Sequence, residues 1–149
     1  IDEIHKSKPG SYVVTPITAV LKAFTNLKVK KIAVLTPYPE RVNKTIFDYL
    51  LRNNIEITSF SSFNLNYDSD IANVDPKYII ETIDKINLRD SDAVFISCTA
   101  LRAVEVIDQI EKKISKYVIS SNQAIIWDSL RSVNVNNNIH GYGELLKKH

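Results

Sequence analysis

The chain contains a single cysteine, Cys98, which directly follows an apolar segment that is typical of a buried strand. A thiol at the junction between a strand and a helix can act as a nucleophile or a proton carrier, because the positive end of the helix dipole favours the thiolate. Free cysteine is also among the most buried residue types, so Cys98 could equally be a small hydrophobic core residue. One cysteine excludes an intrachain disulfide bond, which leaves packing and chemistry as the two interpretations.

Small polar side chains follow the apolar segments at other points of the chain. Thr36 and Tyr38 come after the first segment, Thr99 follows Cys98, and Asn122 comes after the last segment. Ligands of an open parallel sheet bind beyond the carboxyl ends of its strands, so we expect these side chains to meet at one edge. Tyr38 could donate its phenolic proton to a carboxylate or enolate oxygen there. Considered singly, Tyr38 and Thr99 could be turn residues and Asn122 a helix cap.

Other kinds of site have little support in the sequence. The histidines His5, His140 and His149 are scattered, so we expect neither a metal site nor a Cys-His pair. A glycine-rich phosphate loop is absent, so we expect no nucleotide cofactor, and a small carboxylic acid suits the strand ends better. Arg102 could clamp a carboxylate or could pair with Glu105 on the surface.

The composition is that of one ordinary globular domain. Of the 149 residues, 44% are hydrophobic and 24% are charged, which is enough to bury one core. The 19 basic and 17 acidic residues give a net charge of +2 without a basic stripe, so we expect no nucleic-acid partner. No apolar run is long enough to cross a bilayer and residues 1–9 lack a secretory signal, so we expect a cytoplasmic protein without a membrane partner. The chain contains no methionine, so we expect it to be a fragment of a longer protein.

From Lys31 onward, short β-rich segments alternate with helical patterns, as in βαβ units. Strands are predicted at residues 31–35, 55–60, 93–97 and 117–120, with the second strand near a sheet edge. Five helices are predicted, with apolar stripes at residues 17–27, 42–50, 79–86, 101–114 and 125–130. The expected starts are Thr15 with Pro16 for the first helix, Asp75 with Pro76 for the third, Cys98 directly before the fourth, and Asn122 as the cap of the fifth.

These elements predict an α/β fold, a doubly wound parallel sheet of about four strands with helices on both faces. Residues 15–133 are expected to form a Rossmann-like α/β domain. The segments 1–14 and 134–149 fit the alternating pattern poorly, which would be natural if they belonged to a second domain that this chain only partly includes.

Three motifs and the closing segment together resemble the maleate cis-trans isomerase family, a branch of the Asp/Glu racemase superfamily whose relatives include arylmalonate decarboxylase and the ectoine-utilisation protein EutA. They are Thr-Pro-Tyr at 36–38, Ser-Cys-Thr-Ala-Leu-Arg at 97–102, Ser-Ser-Asn-Gln-Ala at 120–124 and Gly-Tyr-Gly-Glu-Leu-Leu at 141–146. The resemblance implies two pseudo-symmetric α/β domains with the active site between them. Residues 1–14 would then come from or link to a missing first domain, and residues 134–149 would return toward it.

The same resemblance implies a cofactor-independent isomerase that acts on a small (di)carboxylic acid such as maleate. Cys98 matches one of the family's two cysteines and would be the catalytic acid or base, while Tyr38, Thr99, Asn122 and Thr36 would bind the substrate. No metal is expected, and the protein is expected to be a homo-oligomer.

The second cysteine of the family pattern is missing from this chain. Either the first domain is not represented, or the protein runs a one-cysteine reaction, as the decarboxylases of the superfamily do. An EutA-like protein, an amino-acid racemase, an arylmalonate decarboxylase-like enzyme and a non-catalytic acid-binding domain are the alternatives to the isomerase.

Overall fold

The four β-rich segments form one parallel sheet in the computed structural model, which describes residues 1–149. The strands are β1 (Lys31–Thr36), β2 (Glu56–Ser62), β3 (Ala93–Ile96) and β4 (Tyr117–Ser120). Their order is β2-β1-β3-β4, and every pairing is parallel. The second strand lies at an edge of the sheet, as its alternating sequence predicted.

Side chains of the central strands alternate between two hydrophobic cores, one on each face of the sheet. Val34 of β1 and Phe95 of β3 point into the first core, whereas Leu35 and Ile96 point into the second. Both cores are closed by helices, because a strand that is apolar on both sides needs cover on both sides. The predicted fold class, a doubly wound parallel sheet with helices on both faces, is therefore confirmed.

Eight helices and one 3₁₀ turn surround the sheet. The helices are α1 (Asp2–Ser7), α2 (Pro16–Leu27), α3 (Glu40–Arg52), α4 (Asp68–Ala72), α5 (Pro76–Ile83), α6 (Ile107–Ile114), α7 (Ser121–Ser132) and α8 (Glu144–Lys148). The predicted starts of α2 and α5 are confirmed, because Thr15 closes a capping box and the Asp75 side chain accepts the backbone N–H of Lys77. The short helices α1, α4 and α8 were not predicted from the sequence.

Two predicted helix starts on the site side of the sheet are wrong. The fourth helix does not follow Cys98 directly, since a loop and a 3₁₀ turn (Ala103–Glu105) come before α6. Leu101 lies in this loop and is buried, so its place in the predicted apolar stripe reflects burial of a loop residue and not a helix. The fifth helix is capped by Ser120, whose hydroxyl accepts the backbone N–H of Gln123, and not by Asn122.

The C-terminal segment packs on the same sheet as the rest of the chain. Leu145 and Leu146 of α8 are buried in the first core. Gly143 leads into α8 with a φ of +87°, and a Cβ atom there would lie 2.4 Å from Cγ2 of Ile107. The close approach explains why a glycine stands at this position.

The placement of residues 1–14 and 134–149 relative to a second domain stays a prediction. No helix combines the length and the apolar character that a bilayer span requires.

Candidate active site

Cys98 lies in the loop after β3 in a backbone conformation that is rare for any residue except glycine. Its φ is +132°, and its side chain is only 6% exposed. Such a conformation costs about 1–3 kcal/mol and persists only where the surrounding structure enforces it. Strained residues of this kind cluster at functional sites, so the conformation of Cys98 favours chemistry over simple packing.

Two backbone hydrogen bonds hold Cys98 in place. Its own N–H donates to Oγ of Ser121 at 3.2 Å, and the N–H of Ala100 donates to its Sγ atom at 3.3 Å. A donor directed at the sulfur stabilises negative charge there. The N–H group that contacts the sulfur therefore belongs to the loop and not to a following helix, because α6 begins nine residues further along the chain at Ile107.

Tyr38 is fixed through its backbone carbonyl. Nδ2 of Asn43 donates to that oxygen at 2.8 Å, and Oγ of Ser62 donates to it at 2.5 Å. Thr36 completes the network by donating to Oδ1 of Asn43 at 2.6 Å. The ends of β1 and β2 and the first turn of α3 thus fix the backbone at Tyr38, whose side chain lines the pocket described next.

A pocket of about 340 Å³ opens where β1, β3 and β4 end. Its polar lining consists of hydroxyl groups and the thiol, namely Tyr38, Thr45, Ser97, Cys98, Thr99 and Ser121. Its remaining lining is apolar or aromatic, namely Pro16, Ile17, Ile46, Tyr49 and Phe95. No charged side chain lines it, so an anion bound there would be held by neutral donors.

The phenol of Tyr38 is held in its protonated form. Burial raises its pKa well above the ordinary value, and the neighbouring thiol of Cys98 raises it further, against a smaller lowering by Ser97. Tyr38 therefore remains a hydrogen-bond donor across the neutral and moderately alkaline range. Because it faces the same pocket as Cys98, it can neutralise charge that develops next to the sulfur.

The structure brings together three of the five residues that the sequence proposed for the site. Cys98, Tyr38 and Thr99 line one pocket, and Thr99 is exposed to solvent there. Thr36 does not reach it, because this residue is fully buried and its hydroxyl is engaged by Asn43. Thr36 instead contacts Asn43, which holds the backbone carbonyl of Tyr38, and its direct contact with a substrate stays a prediction.

Asn122 also lies outside the pocket lining. Its Nδ2 donates to the main-chain oxygen of Thr99 at 2.9 Å, which ties the first turn of α7 to the loop that carries Cys98. Arg102 forms a bidentate pair with Glu105 on the surface, with distances of 2.7 Å and 2.9 Å.

Sequence reasoning missed Ser97 and Ser121 as pocket residues. Both stand in the quoted motifs, but a serine next to a strand end is so common that its type alone does not distinguish lining from capping. Support by Asn43 was missed as well, since its burial on α3 depends on how that helix packs. No group of three or more His, Cys, Asp or Glu side chains is arranged to hold a metal ion.

Comparison with known proteins identifies the family of the chain. The sequence model of arylmalonate decarboxylase matches residues 3–146. The chain belongs to the arylmalonate decarboxylase family. The family resemblance that the motifs indicated is thereby confirmed.

Relatives of this arylmalonate decarboxylase family member are enzymes. The chain is 24% identical over 135 residues to a maleate isomerase from Geobacillus stearothermophilus, covering 90% of this chain and 54% of that protein. It is 28% identical over 119 residues to an arylmalonate decarboxylase from Bordetella bronchiseptica, covering 78% of this chain and 50% of that protein. A solved structure of the Nocardia farcinica maleate cis-trans isomerase, 16% identical, superposes with a TM-score of 0.93 over 99% of this chain and 61% of that one. The chain thus spans about half the length of the relatives that it matches.

Proposed function

We propose that this chain carries the cysteine site of a cofactor-independent enzyme that isomerises a small (di)carboxylic acid such as maleate. The observation that carries the proposal is the strained Cys98 facing the protonated phenol of Tyr38 in one pocket. Maleate isomerases are among its relatives, and a cysteine-to-serine variant of the Nocardia farcinica enzyme was solved with a covalently bound succinylcysteine intermediate. A reactive Cys98 would therefore agree with the covalent cysteine chemistry seen in that enzyme, which has the same fold.

In this proposal the residues have separate roles. In the isomerisation, a second thiolate from outside these 149 residues adds to one alkene carbon while Sγ of Cys98 gives its proton to the other. After rotation about the new single bond, the Cys98 thiolate takes a proton back from that carbon as the other thiolate leaves, and the N–H of Ala100 stabilises the Cys98 thiolate. Tyr38 and Thr99 donate hydrogen bonds to the carboxylate or enolate oxygens. Thr36 and Asn122 act indirectly, by holding Tyr38 and the Cys98 loop. A reaction with two thiols would need a second cysteine from outside these 149 residues.

A second candidate is the decarboxylation of a malonate with an apolar substituent. The apolar side of the pocket, formed by residues such as Ile17, Ile46 and Phe95, favours it, since maleate has no group that gains from such a surface. Here the bond to the departing carbon dioxide breaks, its electron pair remains on an enediolate, and Cys98 protonates the carbon. One cysteine suffices for this reaction. Arylmalonate decarboxylase from Bordetella bronchiseptica is a relative at 28% identity.

The experiment compares the two reactions in the full-length protein, because a two-thiol isomerisation would need a cysteine from outside these 149 residues. Purified protein is incubated separately with maleate and with phenylmalonate, and fumarate and phenylacetate are measured by NMR. Cys98→Ala is expected to lose whichever reaction occurs, whereas Ser91→Ala, which removes a buried hydroxyl before β3, should keep it. If neither acid is converted, or if Cys98→Ala converts as fast as the wild type, the enzymatic proposal is wrong.

Binding without turnover would support the non-catalytic alternative. In that case maleate or malonate should protect Cys98 from iodoacetamide in a saturable manner while no product forms. The oligomeric state and the second domain that the resemblance implies stay predictions, and size-exclusion chromatography with light scattering measures the first of them.

A further inference from the structure

Ser121 is a buried pocket residue whose role neither the motifs nor the helix cap explains. It is the first residue of α7, it is 4% exposed, and it lines the pocket beside Cys98. The preceding residue, Ser120, already closes the capping box of α7 with Gln123. Ser121 is therefore free of the capping duty that a serine at this position commonly has.

The hydroxyl of Ser121 is engaged only as an acceptor. Its Oγ atom accepts the backbone N–H of Cys98 at 3.2 Å, and no acceptor in the protein takes its own proton. Nearly all buried polar groups in folded proteins have a partner, so this proton is available to a molecule in the pocket. Accepting one hydrogen bond also polarises a hydroxyl and makes it a stronger donor.

The residue that donates this hydrogen bond, Cys98, has a strained backbone. A φ of +132° at a non-glycine residue persists only if neighbouring groups restrain it. The bond to Ser121 connects this backbone to the start of α7, a helix of 12 residues that packs on the first core. Removing the Ser121 hydroxyl would leave the buried N–H of Cys98 without a partner.

We propose that Ser121 fixes the backbone of Cys98 and donates its hydroxyl proton to a carboxylate or enolate oxygen of the acid bound in the pocket. The substrate role rests on the function proposed above, whereas the positioning of Cys98 does not. Ser121 thereby couples the geometry of the thiol to the recognition of the anion. The pocket contains no cationic side chain, so each neutral donor contributes a substantial share of anion binding.

The test uses the full chain with Ser121→Ala, with Ser121→Thr, which restores the hydroxyl, and with Ser91→Ala as the matched control. Ser91 is 3% exposed, and its hydroxyl shares a hydrogen bond of 2.6 Å with Thr58 at the opposite end of the sheet. Malonate serves as the probe, and its concentration for half-protection of Cys98 against iodoacetamide is measured by mass spectrometry. For an active acid, kcat and KM are measured as well.

We expect Ser121→Ala to raise the half-protection concentration at least tenfold and to lower kcat about 10- to 100-fold. Ser121→Thr should return both values to within about threefold to fivefold of the wild type, and Ser91→Ala should not change them. Equal values for Ser121→Ala and Ser91→Ala would overturn the inference. If Ser121→Ala does not fold, Ser121→Cys, which has a similar size and is a weaker donor, replaces it, with labelling at position 98 resolved by peptide mapping.

The two proposals fail in different ways. Protection that depends on Ser121 without conversion of maleate or phenylmalonate would refute the proposed reactions and retain the role of Ser121. Conversion that is insensitive to Ser121→Ala would retain the enzyme and refute the role of Ser121.

Discussion

Replacing Cys98 by glycine separates the strain of this residue from its chemistry. The structure holds Cys98 at a φ of +132°, a region that glycine enters freely and other residues enter at a cost of about 1–3 kcal/mol. Alanine keeps the Cβ atom and therefore the strain, whereas glycine releases it. Both substitutions remove the same thiol, so they differ only in the backbone strain and in one buried Cβ atom.

The expected difference follows from two opposing contributions. Relief of strain favours Cys98→Gly by about 1–3 kcal/mol, and the usual cost of glycine relative to alanine, which comes from its freedom in the unfolded chain and its missing Cβ atom, opposes it by about 0.5–1 kcal/mol. The free energy of unfolding of Cys98→Gly should therefore exceed that of Cys98→Ala by about 1 kcal/mol. In a chain of 149 residues this corresponds to a difference of about 2–4 °C in Tm.

Urea denaturation followed by circular dichroism measures this difference. Ala93→Gly is the matched control, because Ala93 is fully buried in β3 and has no positive φ. The free energy of unfolding of Ala93→Gly should be lower than that of the wild type by at least about 0.5–1 kcal/mol, so at this position glycine should be less stable than alanine. If Cys98→Gly were instead less stable than Cys98→Ala by a similar amount, the backbone of Cys98 would not be strained, and the main structural argument for a functional thiol would fail. Neither Cys98 variant should show activity.

Three further substitutions test other features of the molecule. Tyr38→Phe keeps the ring and removes the donated proton, so kcat should fall about 100- to 1000-fold; because the pKa of Tyr38 is raised, its ionisation should not reduce wild-type activity below pH 10. Gly143→Ala places a Cβ atom 2.4 Å from Cγ2 of Ile107 at a φ of +87°, so it should destabilise the protein by about 1–3 kcal/mol and expose the C-terminal segment to limited proteolysis. Burial raises the pKa of Glu111. The stability that the protonated carboxyl of Glu111 contributes is therefore complete below about pH 4.5 and is lost as the pH rises through the pKa of the folded state. The free energy of unfolding of the wild type relative to Glu111→Gln should decrease from pH 4.5 to pH 7.

Each of these expectations has its own control and contrary outcome. Tyr78→Phe changes an exposed tyrosine and should leave kcat unaltered, so an equal loss in Tyr78→Phe and Tyr38→Phe would remove the donor role. Gly10→Ala, at a positive φ but with open space around the new Cβ atom, separates steric contact from backbone strain in the Gly143 result. A pH-independent difference between the wild type and Glu111→Gln would show that burial does not raise the pKa of this carboxyl.

Local sequence patterns predicted the sheet because they record burial directly. Strands such as Ala93–Ile96 have apolar side chains on both sides, and this pattern is typical of a strand that is covered on both faces of the sheet. Thr15 with Pro16 and Asp75 with Pro76 predicted two helix starts, since capping involves only neighbours in the chain. The loop from Cys98 to Arg102 escaped prediction because burial of Leu101 imitates a helical stripe.

The sequence by itself determined the fold class, the family and the position of the thiol after a central strand, since each depends on residue type and spacing along the chain. Tertiary structure alone decided which polar groups face the pocket. Thr36 and Asn122 form hydrogen bonds outside the pocket, whereas Ser97 and Ser121 line it. The physical reason is that a hydroxyl or an amide near a strand end can satisfy its hydrogen bonds within the protein or leave them for a ligand, and only packing between distant segments decides between the two.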